Sequence, residues 1–137
     1  MLHVRREINR LIDYKDRQRQ KVEVELNKLK EQKEQLQSQI SEKKIAMQDN
    51  REEHKIINKD FYHKLKNSVV PAKQFRHREF YLEKCDASLN KLEDEYNILL
   101  GEVHQVSLFI QESNEQLKAL IVKQEKYKYL LESEIKG

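Results

Sequence analysis

The residues of this sequence best suited to chemistry are its single cysteine and its five histidines. In the pairing of helices that the hydrophobic pattern predicts, His54 lies opposite Cys85, and these are two residue types that bind zinc. A structural zinc needs four ligands, however, and no third ligand lies at helical spacing from either residue. We therefore favour a packed pair between two helices and predict no metal and no cofactor.

Nucleophilic catalysis is not indicated by the spacing of residues either. No candidate nucleophile has a base and an orienting group at a recognisable separation along the chain. The sequence contains neither a P-loop nor another glycine-rich loop that could bind phosphate, and it has only two glycines and one proline. We predict that the protein is not an enzyme.

An unbroken heptad repeat occupies the second half of the chain, from Phe75 to Leu131. Such a repeat places one narrow apolar stripe along a helix, and that stripe is buried only when a second helix lies beside it. We call the a and d positions of the repeat the seam. The a positions are Phe75, Leu82, Leu89, Tyr96, Val103, Ile110, Leu117, Gln124 and Leu131, and the d positions include Cys85, Leu92, Leu99, Val106, Leu120 and Tyr127.

The first half of the chain contains a second heptad repeat. Between the two repeats, residues 67 to 71 combine weak helix formers with the only proline, Pro71. The sequence thus predicts an all-α fold, an antiparallel two-helix coiled-coil hairpin over residues 1–137, with helix one about 2–65, a turn about 66–74 and helix two about 75–135. The apolar seam residues of helix one are Ile8, Ile12, Val22, Leu26, Leu29, Leu36, Ile40, Met47, Ile57 and Phe61, and polar residues such as Lys43 and His54 occupy the other sites.

The register of the hairpin follows from the two repeats. In an antiparallel pair, an a residue lies level with a d residue of the other helix, so the residue numbers of level pairs have a constant sum. The two seams satisfy this with a sum of 139, which places Ile40 level with Leu99 and centres the turn at residues 69 and 70. The neighbouring registers centre the turn further from this break, so we predict the sum of 139.

Charge is distributed unevenly although the net charge is only +3. Residues 1–70 contain 17 Lys and Arg against 12 acids, whereas residues 71–137 contain 10 against 12, and helices of opposite charge bias suit each other as neighbours. The single cysteine excludes an internal disulfide. The chain has no apolar run near twenty residues and no signal peptide, so we expect a cytoplasmic protein without membrane insertion.

Two regions have more apolar or basic residues than a hairpin needs. In the first, which we call the terminal surface, an apolar stripe wider than a and d indicates a further partner, the alternative being that the terminal turns pack on each other. In the second, at the hairpin end, basic and aromatic residues could bind nucleic acid or an acidic protein, the alternative being a solvated basic end. The terminal surface comprises Leu2, Val4, Arg5, Arg6, Arg10, Leu11, Leu130 and Ile135; the hairpin end contains Lys59, Lys64, Lys66, Lys73, Arg76 and Arg78 among Phe61, Tyr62, Phe75, Phe80 and Tyr81.

The sequence resembles the small coiled-coil stalk proteins of bacterial type III secretion, the YscO group and its flagellar counterpart FliJ. The resemblance rests on Arg5-Arg6 followed by Ile8-Asn9-Arg10-Leu11, and on Lys66-Asn67-Ser68 followed by Lys73-Gln74-Phe75. It spans the whole chain in layout, although the motifs are short.

The resemblance implies a non-enzymatic stalk between the hexameric secretion ATPase and the membrane export gate, on the cytoplasmic side of the inner membrane. Some members of the family also handle export chaperones. By this likeness, the terminal surface binds the ATPase. The residues that match the gate-facing positions are Phe75, Arg78, Tyr81, Leu82 and Cys85, of which Arg78 and Cys85 depart from the bulky apolar residues of the family.

Two other functions compete with the stalk. A coiled-coil arm could bind nucleic acid through the basic hairpin end, but the acidic bias of helix two leaves no continuous basic stripe. The chain could also be a structural coiled-coil scaffold. We expect protein partners rather than nucleic acid.

Overall fold

The computed structural model describes residues 2–67 and 69–136, apart from the side chains of residues 135 and 136. Helix α1 spans Leu2–Asn67 and helix α2 spans Ala72–Lys136. The described residues are 98% helical, and no strand occurs among them. The two helices pack against each other, which confirms the predicted all-α antiparallel two-helix coiled-coil hairpin.

The helices extend into the predicted turn at 66–74 from both sides. Helix α1 continues to Asn67 because the steric restriction imposed by Pro71 acts on Val70 and not on earlier residues. Helix α2 begins at Ala72 rather than at 75, since a proline just before a helix costs no intrahelical hydrogen bond. The N–H of Gln74 donates to the Pro71 carbonyl at 3.0 Å and closes the first turn.

Burial follows the predicted seam in both helices. Every a and d residue of α1 from Arg5 to Phe61 is buried or half-buried, as is every one of α2 from Arg78 to Glu134. Among the described seam residues of the two repeats, only Lys64 and Phe75, at the turn, are exposed. The buried apolar residues are Leu26, Leu36, Ile40, Met47, Phe61, Cys85 and Val106.

The packing of the two helices divides into two compact units. The terminal unit consists of Met1–Glu34 and His104–Gly137, and the central unit consists of Gln35–Val103. Each unit contains one segment of α1 and one segment of α2. A candidate binding surface can therefore be assigned to one unit or the other.

The seam of the terminal unit contains a buried polar cluster around Gln124, which is only 3% exposed. Its amide oxygen accepts a hydrogen bond from Arg19 Nη1 at 3.1 Å, and its amide nitrogen donates to Asp16 Oδ1 at 3.3 Å and to the Ile12 carbonyl at 3.5 Å. Arg19 also pairs with Asp16 at 3.2 Å. Both polar atoms of the buried amide thus have hydrogen-bond partners. These hydrogen bonds connect α2 to the segment of α1 between Ile12 and Arg19.

Ion pairs across the helices of the central unit connect basic α1 residues to acidic α2 residues. The Lys43 ammonium pairs with the Glu95 carboxylate, and the hydrogen bond from Lys43 lowers the pKa of Glu95. Arg51 Nη2 lies 4.0 Å from Glu93 Oε1. These pairs match the opposite charge bias of the two halves of the sequence.

No stretch of helix among the described residues is both long and apolar enough to cross a membrane.

Candidate functional site

The terminal surface exposes most of its predicted residues. Leu2 is 74% exposed, and Val4, Leu11 and Leu130 are about 40% exposed although their side chains are apolar. Arg6 and Arg10 are exposed beside them. Exposed apolar residues among arginines are typical of a protein interface, because arginine contributes both charge and contact area there.

Two predicted residues of the terminal surface differ from the rest. Arg5 occupies an a position and is half-buried, and its Nε has no hydrogen-bond partner within the described residues. The side chain of Ile135 lies outside the described residues. Arg5 therefore contributes to packing, and the solvent-facing charge of this surface comes from Arg6 and Arg10.

An aromatic and cationic cluster lies at the turn end of the central unit. The rings of Phe61 and Phe75 meet edge to face, with centroids 4.9 Å apart. The Arg78 guanidinium lies 4.7 Å from the Phe61 centroid, and its Nη2 donates to Asn58 Oδ1 at 2.7 Å. The Arg78 guanidinium is therefore engaged in contacts within the hairpin, and it is less available to a partner than the sequence alone suggested.

Aromatic residues form the exposed part of this end: Phe80 and Tyr81 lie outside the seam, and Phe75 is its first residue in α2. Tyr81 is 55% exposed, and its ring lies edge to face with that of Phe80 at 6.1 Å. Lys84 Nζ lies 4.6 Å from the centroid of Phe80. Phe75 is 41% exposed despite its contact with Phe61. Phe75 and Tyr81 are thus the predicted gate-facing residues that a partner could contact directly.

The remaining gate-facing candidates are part of the seam. Leu82 is half-buried and Cys85 is buried, because they occupy a and d positions packed against α1. Burial, followed by the negative charges of Glu53 and Asp86, raises the pKa of the Cys85 thiol. The thiol therefore stays protonated and acts as a small apolar side chain.

His54, which the sequence places opposite Cys85, makes its polar contacts with Asp86 and Asn58. His54 Nε2 lies 3.8 Å from Asp86 Oδ1, and its Nδ1 lies 3.2 Å from Asn58 Nδ2. Among the described residues, no three His, Cys, Asp or Glu side chains converge where they could hold a metal ion. The hydrogen bond with Asn58 and the nearby Asp86 carboxylate thus orient this half-buried histidine.

The basic residues of the hairpin end are almost all exposed. The cations that lie in solvent are Lys59, Lys64, Lys66, Lys73 and Arg76. Tyr62 is exposed beside Lys59 and Lys66, and its ring centroid lies 6.5 Å from that of Phe61. A basic surface with exposed aromatic rings is compatible with an acidic partner.

Sequence reasoning missed two features. The buried amide of Gln124 occupies an a position, where the heptad pattern expects an apolar residue. A glutamine at such a position could have indicated a buried polar cluster. Tyr14, in the terminal unit, is 54% exposed and lies beside a groove that the sequence did not predict. Grooves depend on how two helices meet, and a one-helix pattern contains no such information.

Comparison with models of protein families, with curated proteins and with solved structures found no match for this chain. The resemblance to the YscO and FliJ group therefore stays an expectation from the sequence. The exposed residues of the two units are what any functional proposal must explain.

Proposed function

We propose that this chain is a non-enzymatic stalk protein of a bacterial type III secretion apparatus, which links the hexameric secretion ATPase to the export gate. One observation supports the proposal above others: each unit exposes apolar or aromatic residues that the coiled coil does not need. Among them, Leu2, Leu11, Phe75 and Tyr81 lie at positions where the resemblance to YscO and FliJ implies a partner. Exposed apolar area beside charged residues is common in protein interfaces.

In this proposal the terminal unit binds the ATPase. Arg6 and Arg10 supply exposed positive charge, and Leu2 and Leu11 supply apolar area beside it. Interfaces commonly combine an apolar centre with arginine, because arginine makes several hydrogen bonds from one planar group. The partner surface is expected to be acidic with an apolar pocket.

The central unit then contacts the export gate through Phe75 and Tyr81. Large aromatic side chains dominate binding energy in many interfaces because they bury area at low entropic cost. Arg78, Leu82 and Cys85 contribute by holding the turn end in shape. Their own contacts are with Phe61, Asn58 and the seam.

The stalk role places the protein in the cytoplasm at the inner-membrane secretion apparatus. It also allows the chain to stimulate the ATPase or to handle export chaperones without a catalytic residue of its own. A protein that binds the more active conformation of an ATPase more tightly than the less active one shifts the ATPase toward the active conformation.

The experiment that tests this proposal is a pull-down of the full chain from its native cells at physiological salt, analysed by mass spectrometry. Recovery of a hexameric ATPase together with an export-gate protein is expected. Recovery of neither, with nuclease-sensitive RNA-binding proteins or cytoskeletal proteins in their place, would rule out the stalk.

A nucleic-acid-binding arm is the second candidate, favoured by the exposed basic residues of the hairpin end. Lys59 and Lys66 line a shallow surface pocket together with the exposed Tyr62 ring, which could stack on a base. The internal contacts of Arg78 reduce this basic surface. If the arm binds RNA, affinity should fall by orders of magnitude between roughly 50 and 200 mM salt.

A further inference from the structure

A shallow groove crosses both helices of the terminal unit on one side of the seam. Its floor includes the half-buried seam residues Val22 and Leu120, with the small side chain of Ala119 beside them. The exposed ring of Tyr14 forms one edge. The groove is thus apolar at its base, and Ala119 lets another chain approach closely.

The walls of this groove are basic. Arg17, Lys21 and Lys123 all line it and are all exposed, and its lining contains no aspartate or glutamate. Within the described part of the chain, none of these three cations forms an ion pair. Their charges are therefore open to a negatively charged partner.

The edge of the groove is held in place before any partner arrives. Gln18 Nε2 donates to the Tyr14 hydroxyl at 3.2 Å, and Lys15 Nζ lies 5.6 Å from the Tyr14 centroid. Gln18 also lines the groove, and its Oε1 is buried without a hydrogen-bond partner among the described residues. A side chain fixed in advance loses less conformational entropy on binding.

Heptad geometry extends the apolar character of this side beyond the groove. Leu11 lies one heptad before Gln18, and Phe109 lies one heptad before Gln116, which also lines the groove. Both Leu11 and Phe109 are exposed. A third helix in the groove between two helices would cover these residues and complete a three-helix arrangement.

We propose that this groove of the terminal unit binds an acidic amphipathic helix of another protein. The apolar face of that helix packs on Val22, Ala119 and Leu120, and its carboxylates pair with Lys21 and Lys123. Charge complementarity selects this occupant, because three cations around an apolar floor attract an acidic helix and repel a basic one. The proposal does not depend on the stalk function, since it rests on the groove alone.

The probe for this site is a synthetic helical peptide of about 18 residues, roughly 27 Å long. It has Leu and Ala along one face and Glu on the other, and a fluorescein label. A matched peptide replaces each Glu by Lys. We expect the acidic peptide to bind the full chain in a fluorescence anisotropy titration, and the basic peptide to show no saturable binding.

Two pairs of charge reversals locate the binding. The double variant Lys21→Glu with Lys123→Glu should weaken binding of the acidic peptide at least about tenfold. The control, Lys30→Glu with Lys128→Glu, changes the net charge equally at exposed positions outside the groove lining and should weaken binding less than about twofold. Equal losses in the two double variants would overturn the proposal, because the attraction would then be non-specific.

A neutral substitution separates shape from charge. Ala119→Gln places a longer side chain in the groove without changing charge, and it should weaken binding of the acidic peptide while helicity by circular dichroism stays constant. Unaltered binding would overturn the proposal. A second copy of the chain is the other possible occupant: a dimer seen in analytical ultracentrifugation that Ala119→Gln dissociates would show that the groove serves self-association instead.

Discussion

The Arg78 guanidinium lies 4.7 Å from the centroid of the Phe61 ring, and the numbers of these two residues add to 139. In the terminal unit, Gln124 contacts Ile12, Asp16 and Arg19, which surround the α1 position that the same sum places level with it. Contacts within each unit thus agree with the register predicted from the two heptad repeats.

A disulfide tests the register in the central unit. Cysteines at Ile40 and Leu99, in a chain with Cys85→Ser, should form an intramolecular disulfide on mild oxidation, because level seam residues lie within disulfide reach. Non-reducing gel mobility and mass spectrometry measure the product. Cysteines at Ile40 and Leu92 serve as the mismatched control. Crosslinks found only between molecules would contradict the hairpin.

Substitution of Gln124 tests whether the polar cluster stabilises the fold or selects the register. Gln124→Leu should raise the unfolding free energy by up to about 1 kcal/mol. The leucine side chain buries apolar area in the seam, and the ion pair between Asp16 and Arg19 remains in place. Urea denaturation measures the change. Gln111→Leu, at an exposed site, is the matched control and should change stability little. A loss greater than about 1 kcal/mol in Gln124→Leu would show that the cluster stabilises the fold.

Acid should weaken the contribution of the Lys43–Glu95 pair. The folded pKa of Glu95 is lowered, so the unfolded chain binds this proton more readily. The stabilising contribution is therefore present above the ordinary glutamate pKa of about 4.3 and is lost as pH falls through the lower folded pKa. The urea midpoint of the native chain should drop more between about pH 5 and pH 3 than that of Glu95→Gln.

Two variants serve as controls for this pH dependence. Lys43→Met should flatten the acid response in the same way, because it removes the hydrogen bond that lowers the pKa of Glu95. Glu102→Gln changes an exposed glutamate that forms no ion pair among the described residues, and it should keep the native response. Identical curves for Glu95→Gln and the native chain would contradict the assigned cause.

The two proposed partners should be separable by mutation. Arg6→Glu with Arg10→Glu should abolish binding of the secretion ATPase without loss of helicity, because both side chains are exposed and the seam does not need them. Tyr81→Ala should leave ATPase binding intact and impair secretion in cells. Pull-down and a secretion assay are the two measurements. An Arg6 and Arg10 variant that still binds the ATPase would contradict the proposed terminal surface.

Much of the fold could be predicted because a coiled coil is specified by a one-dimensional pattern. Residues such as Ile40 and Val106 are buried where the heptad placed them. The helix ends were less predictable: apolar Phe75 marked the start of the repeat, but Ala72 is sufficient to begin a helix after Pro71. The heptad repeat marks the first residue that packs against the other helix. The helix itself can begin earlier, at residues that have no seam partner but tolerate helical geometry.

The candidate site was predicted less completely. Exposure of Leu2 and Tyr81 agrees with a binding role, but Cys85 was assigned to the seam and to a partner surface at once, and the structure buries it. The stacking of Arg78 on Phe61 could not be anticipated, because a long cation in the seam can extend to solvent or fold onto a ring with little change in sequence pattern.

The thinness of this packing has a consequence for local motion. No described side chain is fully enclosed by the packing of the two helices. A few turns can separate while the rest of the hairpin stays paired, because no common core joins them. Amide hydrogens should therefore exchange with solvent through short local openings, fastest near the ends of the helices and slowest around Ile40 and Met47, well before the whole chain unfolds.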